Sequence, residues 1–150
     1  MNILIVDKVH SVLIEKLQEK KYHLDYRYDI SEKEAFEIIH KYDGIIIRSK
    51  FSLTEEFLEK AKKLKFIGRI GAGMENIDLS FAQKKGIVCL NSPEGNRNAV
   101  GEQALGMLLS MMNNMNKANM EVKNGLWKRE ENRGYEVGNK TIGIIGYGNM

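Results

Sequence analysis

Cysteine, proline and tryptophan are nearly absent, with only Cys89, Pro93 and Trp127 in 150 residues. A single cysteine excludes an internal disulfide framework. One proline and 14 dispersed glycines exclude collagen-like and low-complexity chains. No apolar run approaches the ~18 residues needed to span a bilayer, and the opening Ile3-Leu-Ile-Val6 is cut short by Asp7. Neither a membrane span nor a signal peptide is readable, and the cytoplasm is the expected compartment. The net charge is only +3, and lysines are interleaved with glutamates, as in Glu15-Lys16 and Glu59-Lys60. No basic stripe therefore marks a nucleic acid as partner, whereas an anionic small molecule stays open. His10, His23 and His40 have no acid or thiol at metal-ligand spacing, so no metal is expected. Neither a Ser-His-Asp nor a Cys-His set is identifiable. What is present, 43% hydrophobic and 29% charged residues, is the profile of an ordinary α/β protein.

Short apolar runs alternate with helical patterns from the first residue. Strands are expected at Asn2–Val6, His23–Tyr28, Gly44–Ile47, Phe66–Arg69 and Ile87–Leu90. Helices are expected over His10–Lys20, from the capping box Ser31-Glu-Lys-Glu34 to His40, and from Ser52-Leu-Thr-Glu55 onward. Another should span Leu79–Lys85, with Asp78 as its N-cap and Gly86 as its stop. Strict alternation predicts a parallel, doubly wound sheet. Cys89, inside the fifth strand, reads as a packing residue, since no local cation or base is placed to activate it.

From Asn98 to Lys123 the pattern becomes one long helix closed by Asn124-Gly125. Its middle, Ala104 to Met112, is apolar nearly all round, which predicts burial on two sides, between two domains or between two subunits. Gly101 and Gly106 point to a close backbone neighbour, and the stripe Met107, Met111, Met115 reads as packing. A polar arm from Gly125 to Gly134 follows, then a sixth strand, Thr141–Ile145.

Two glycine turns carry the chemistry. Gly71-Ala72-Gly73 follows the fourth strand at the carboxyl end, where open α/β sheets bind ligands. Its small residues let backbone N–H groups face an anion, although an ordinary glycine turn explains them equally well. Arg48-Ser49-Lys50 ends the third strand on the same sheet edge and could bring two cations and a hydroxyl to that anion. Gly146-Tyr-Gly148 is the first half of a G-x-G-x-x-G dinucleotide turn, without its third glycine, its helix or the acidic residue about 20 positions on.

Laid in order, these segments resemble the D-isomer-specific 2-hydroxyacid dehydrogenases, most closely the members acting on 3-phosphoglycerate. The resemblance rests on Ile47-Arg48-Ser49 and on Gly68-Arg-Ile-Gly71-Ala-Gly73-Met-Glu-Asn76-Ile-Asp78. It continues through Asn91-Ser-Pro93-Glu-Gly95-Asn96, Ala99-Val100-Gly101-Glu102, Gly125-Leu-Trp127 and Gly138-Asn-Lys140-Thr-Ile-Gly-Ile-Ile-Gly146-Tyr-Gly148. It implies a flavodoxin-like substrate domain over residues 1–97, and over 98–150 the start of an NAD-binding Rossmann domain with a dimerisation arm. It further implies that Gly71, Ala72 and Gly73 hold the carboxylate of a 2-hydroxy or 2-oxo acid, with Ala72 near the nicotinamide. By the same resemblance, Arg48 and Ser49 match positions that approach the substrate and its phosphate, Asn96 matches a position at the cleft, and Gly146, Gly148, Asn149 and Met150 match the turn that meets the NAD pyrophosphate. A homodimer through the Asn98–Lys123 helix is implied as well.

The family's catalytic Arg, Glu and His have no counterpart in residues 1–150, so no catalytic residue is assigned and this chain alone is expected to be inactive. Ala99 stands where the family has Ser. Two other readings share the scaffold: a dinucleotide-sensing corepressor-type binding protein, and a non-catalytic remnant of a substrate domain. A phosphorelay receiver, suggested by Asn2-Ile-Leu-Ile-Val-Asp7, fails because Arg48-Ser49 stands where the phospho-acceptor carboxylate should be.

Overall fold

Side-chain caps punctuate the alternation of strand and helix. In the computed structural model, which describes residues 1–146, 148 and 149, His10 Nδ1 accepts the Val12 N–H and starts α1 (Ser11–Glu19). Ser31 and Glu34 form the full reciprocal capping box of α2 (Glu32–Ile38), which tightens into a 3-10 turn, Ile39–Lys41. The hydrogen bonds from the Ser31 hydroxyl and N–H hold the Glu34 carboxyl below the usual range. Thr54, rather than Ser52, caps α3 (Glu55–Lys60), and Asp78 caps α4 (Leu79–Lys84). Gly86 ends that helix at φ 71°, a conformation that disfavours any side chain.

The five strands are β1 (Asn2–Ile5), β2 (His23–Tyr26), β3 (Gly44–Ile47), β4 (Phe66–Arg69) and β5 (Val88–Leu90). All pair in parallel, in the order β2-β1-β3-β4-β5. This is the doubly wound, flavodoxin-like order, in which the switch of direction falls between β1 and β3. The alternation of side chains divides the core between the two faces. Leu4, Ile45 and Ile47 pack with Phe57, Leu58 and Ala82 from α3 and α4. Ile3, Ile5 and Ile46 face the other way, onto Leu13 and Leu17 of α1.

All four residues of β3 are buried, as a central parallel strand requires. Gly44 opposes Phe66 in the register of β3 with β4, and a methyl group at Gly44 would collide with the Phe66 ring.

By contacts the chain divides into units Met1–Gly95 and Asn96–Met150. The second unit departs from the sequence-based expectation in three ways. The single helix Asn98–Lys123 is two, α5 (Arg97–Met112) and α6 (Met115–Lys123). They break at Asn114, whose φ of 51° is left-handed. Asparagine tolerates that conformation better than most residues, and its side-chain amide is pinned to the Arg133 carbonyl at 3.1 Å. The expected two-sided burial is also absent within the chain: Met107 and Met111 are 65% and 68% exposed. Nothing lies within 4 Å of a methyl group built at Gly101 or Gly106. Finally, Thr141–Ile145 is not a strand, and Ile144 and Ile145 are largely exposed. A strand needs a pairing neighbour to satisfy its backbone, and none of the described residues supplies one. No described helix is long and apolar enough to cross a membrane.

Candidate functional site

The two loops singled out in the sequence leave adjacent strands at the carboxyl edge of the sheet. Ile47 and Arg69 are register partners at the ends of β3 and β4, and the Ile70 N–H donates to the Ile47 carbonyl at 2.8 Å. Arg48-Ser49-Lys50 and Gly71-Ala72-Gly73 are therefore brought together by strand pairing alone.

Each loop is then fastened. The Arg48 N–H donates to the Asp7 carboxylate at 2.6 Å, across the switch between β1 and β3. The Lys50 ammonium is turned away, onto the Tyr28 carbonyl after β2. Farther along, Leu53 and Ile77 form a parallel bridge, with the Leu53 N–H on the Asn76 carbonyl at 2.7 Å and the Asp78 N–H on the Leu53 carbonyl at 3.0 Å. The Asn76 side-chain amide adds a bond to the Phe51 carbonyl at 3.2 Å. Asp78 closes the segment by accepting the Phe81 N–H and the Ser80 hydroxyl, which lower its pKa.

The glycine loop presents donors. Gly71 has φ 150°, and its own N–H closes onto the Arg69 carbonyl at 3.0 Å. Its carbonyl accepts the Ser92 N–H at 2.9 Å, and the Ala72 carbonyl accepts the Asn91 side-chain amide at 2.6 Å. Among the described residues, the N–H groups of Ala72 and Gly73 donate to nothing. Such consecutive free amides suit an anion. The Arg69 guanidinium lies against Gly71 and the Glu75 carboxylate against Gly73. Arg69 Nε is buried and has no partner among the described residues.

Arg48 and Ser49 are exposed at the mouth of this edge, and Gly71, Ala72 and Gly73 are half-buried. Asn96 begins the second unit, at the start of α5, and makes no side-chain cap bond. Asp7, Asn91 and Arg69 were missed as site residues by sequence reasoning. The signal for Asp7 was its place directly after the first apolar run, and for Asn91 the same place after the fifth.

The second glycine turn is less complete. Gly146 has φ 97°, and open space surrounds a methyl group built at Gly146 or Gly148, so the backbone is accessible to a pyrophosphate. The Asn149 carbonyl accepts the Arg97 guanidinium at 2.9 Å. The strand before the turn is not formed, and no described helix follows to lend its dipole. The turn itself nevertheless fits the pyrophosphate of a dinucleotide. Met150 lies outside the described residues.

Cys89 packs half-buried against the core, and burial raises its thiol pKa, as expected of a packing residue.

The family model described as the catalytic domain of D-isomer specific 2-hydroxyacid dehydrogenases matches residues 3–141. The chain belongs to this dehydrogenase family. It is 38% identical over 148 residues to a D-3-phosphoglycerate dehydrogenase of Synechocystis, covering 99% of this chain and 26% of that protein. To the D-3-phosphoglycerate dehydrogenase of Methanocaldococcus jannaschii it is 35% identical, over 100% of this chain and 28% of that protein. Among solved structures, an acyclic imino acid reductase in complex with NADPH and D-Arg superimposes with a TM-score of 0.85 at 27% identity. That match covers 99% of this chain and 50% of the reductase. The chain thus spans about a quarter of the length of these curated relatives.

Proposed function

We propose that residues 1–150 are the substrate-binding portion of an NAD-dependent oxidoreductase that moves a hydride between a D-2-hydroxy acid and the nicotinamide, with 3-phosphoglycerate as the acid. The observation that supports it most is the pair of uncommitted N–H groups on Ala72 and Gly73, one strand away from Arg48 and Ser49.

In this reading Ala72 and Gly73 bind the substrate carboxylate by backbone donation, as charge-assisted hydrogen bonds do best in a fixed concave turn. The guanidinium of Arg48 and the hydroxyl of Ser49 meet the phosphate at the far end. Asn96 is proposed as a further substrate-binding residue, and Gly146, Gly148, Asn149 and Met150 approach the cofactor pyrophosphate. A bound nicotinamide dinucleotide would supply the hydride acceptor. Residues 1–97 act as the substrate domain and 98–150 as the start of the nucleotide domain. The Met-rich face of α5 and α6 contributes to a homodimer. No residue of this chain is assigned proton transfer, so residues 1–150 alone do not turn over.

The test is binding, followed in backbone amide NMR spectra of the chain. 3-Phosphoglycerate shifts the Ala72 and Gly73 amides, glycerate shifts them at lower affinity, and glycerol 3-phosphate, which lacks a carboxylate, leaves them in place. Arg48→Ala weakens 3-phosphoglycerate more than glycerate. Equal effects on the two acids would remove the case for a phosphorylated substrate. Sustained NADH oxidation by residues 1–150 with a 2-oxo acid would refute the assignment of no turnover.

A further inference from the structure

Which way the two free N–H groups point is set from behind. A peptide unit is planar and trans, so its C=O and N–H are directed to opposite sides. The Gly71 carbonyl shares a peptide with the Ala72 N–H, and the Ala72 carbonyl shares one with the Gly73 N–H. Both carbonyls are drawn to the loop after β5, by the Ser92 N–H at 2.9 Å and the Asn91 side-chain amide at 2.6 Å. Both N–H groups must then face away from that loop. Glycines flank Ala72 on either side and leave the backbone free to rotate, so without such a clamp the Ala72–Gly73 peptide has more than one accessible orientation.

Asn91 is exposed, directly after Leu90 at the end of β5, and contributes nothing to the core. Its side-chain bond to the Ala72 carbonyl spans 19 residues and joins loops whose strands, β4 and β5, are parallel neighbours. We infer that Asn91 is a positioning residue: its amide, with the Ser92 N–H, turns the Ala72 and Gly73 N–H groups outward to receive a carboxylate. The inference rests on the carboxylate-binding reading above and adds the device that prepares that site before the ligand arrives.

Asn91→Asp tests it with almost no change of shape, because it replaces the donor by an acceptor that repels the Ala72 carbonyl. The N–H residual dipolar coupling of Gly73 is measured in both proteins without ligand, and 3-phosphoglycerate is then titrated. In Asn91→Asp the Gly73 coupling changes while those of the sheet amides and the Tm do not, and the Kd rises about tenfold, the scale of one charge-assisted hydrogen bond. Asn91→Ala gives a smaller change in the same direction. An unchanged Gly73 coupling, or a Kd within about twofold of the parent, overturns the inference. If 3-phosphoglycerate leaves the parent's Ala72 and Gly73 amides unmoved, the carboxylate reading fails instead, and the couplings still decide whether Asn91 sets the peptide.

Discussion

The carboxylate of Asp7 accepts the backbone N–H of Arg48 at 2.6 Å, joining the ends of β1 and β3 where the sheet changes direction. A negative charge here works against an anionic ligand, so the bond matters for geometry rather than for attraction. Asp7→Ala should increase amide exchange at Arg48 about tenfold, whereas Asp7→Asn, which keeps an acceptor oxygen, should stay within about threefold of the parent. Hydrogen exchange followed by NMR reads both, and equal exchange in the two variants would show that the bond does not anchor the loop.

Gly71 and Gly73 should respond differently to alanine. At Gly71 the backbone is at φ 150° and the Arg69 guanidinium occupies the space of a side chain, so Gly71→Ala strains the loop by about 1–3 kcal/mol. At Gly73 the added methyl meets only the Glu75 carboxylate, the end of a flexible side chain. Thermal melts should place Gly71→Ala clearly below Gly73→Ala, and the reverse order would mean that the loop is not held as described.

Asp25 and Tyr42 supply a pH dependence. The Tyr42 hydroxyl donates to Asp25 at 2.5 Å and the Arg27 guanidinium pairs with the same carboxylate at 2.9 Å. Burial pushes the Asp25 pKa up, but the Tyr42 and Arg27 hydrogen bonds outweigh it and the net shift is downward. Desolvation, then the bond to Asp25, raises Tyr42 from 10.0 to about 12. The lowered Asp25 stabilises the fold above the unfolded carboxylate pKa of about 3.9, and that share is lost as pH falls through its folded value. The raised Tyr42 contributes fully below pH 10, and its share is lost as pH rises through about 12. Tyr42→Phe should cost about 1 kcal/mol at neutral pH and flatten the alkaline limb of a denaturation profile. A limb of unchanged steepness would assign the alkaline loss to another group.

Asn114 allows a comparison at the break between α5 and α6. Both Asn114→Gly and Asn114→Ala lose the bond to the Arg133 carbonyl, but with φ at 51° only alanine is strained, so Asn114→Ala should be less stable than Asn114→Gly by about 1 kcal/mol or more. Urea melts distinguish the two. A more stable Asn114→Ala would mean that one continuous helix is the preferred state in solution.

The exposed methionine face provides the test of self-association. Replacing both Met107 and Met111, at 65% and 68% exposure, by Glu should shift sedimentation from dimer to monomer. A parent chain that is already monomeric would contradict the proposed homodimer.

How much was legible in the sequence follows from where each signal lives. The five strands and their caps were readable because Ile3 to Val6, Gly44 to Ile47 and Ser31 with Glu34 encode burial and hydrogen bonding within a few residues. The Arg48 and Gly71 loops were readable as adjacent because parallel order follows from alternation. The roles of Asp7 and Asn91 were not, since each bonds to a backbone group 41 or 19 residues away. The break at Asn114 was hidden because Asn113-Asn114 interrupts no hydrophobic period. Thr141–Ile145 carries strand propensity, but propensity without a neighbouring strand forms no ladder.

The pairing of Gly44 with Phe66 has a consequence at the opposite end of the sheet. Because the Phe66 ring occupies the space that any side chain at residue 44 would need, the observed alignment of the two strands requires glycine there. A slip by one residue would turn the side chains of one strand to the opposite face and move one loop past the other by about 3.3 Å. That distance exceeds a hydrogen bond. An aromatic ring at the entrance of β4 thus acts as a gauge block for the distance between Arg48 and Gly71, so ligand affinity there should be sensitive to a Gly44→Ala change that touches neither residue.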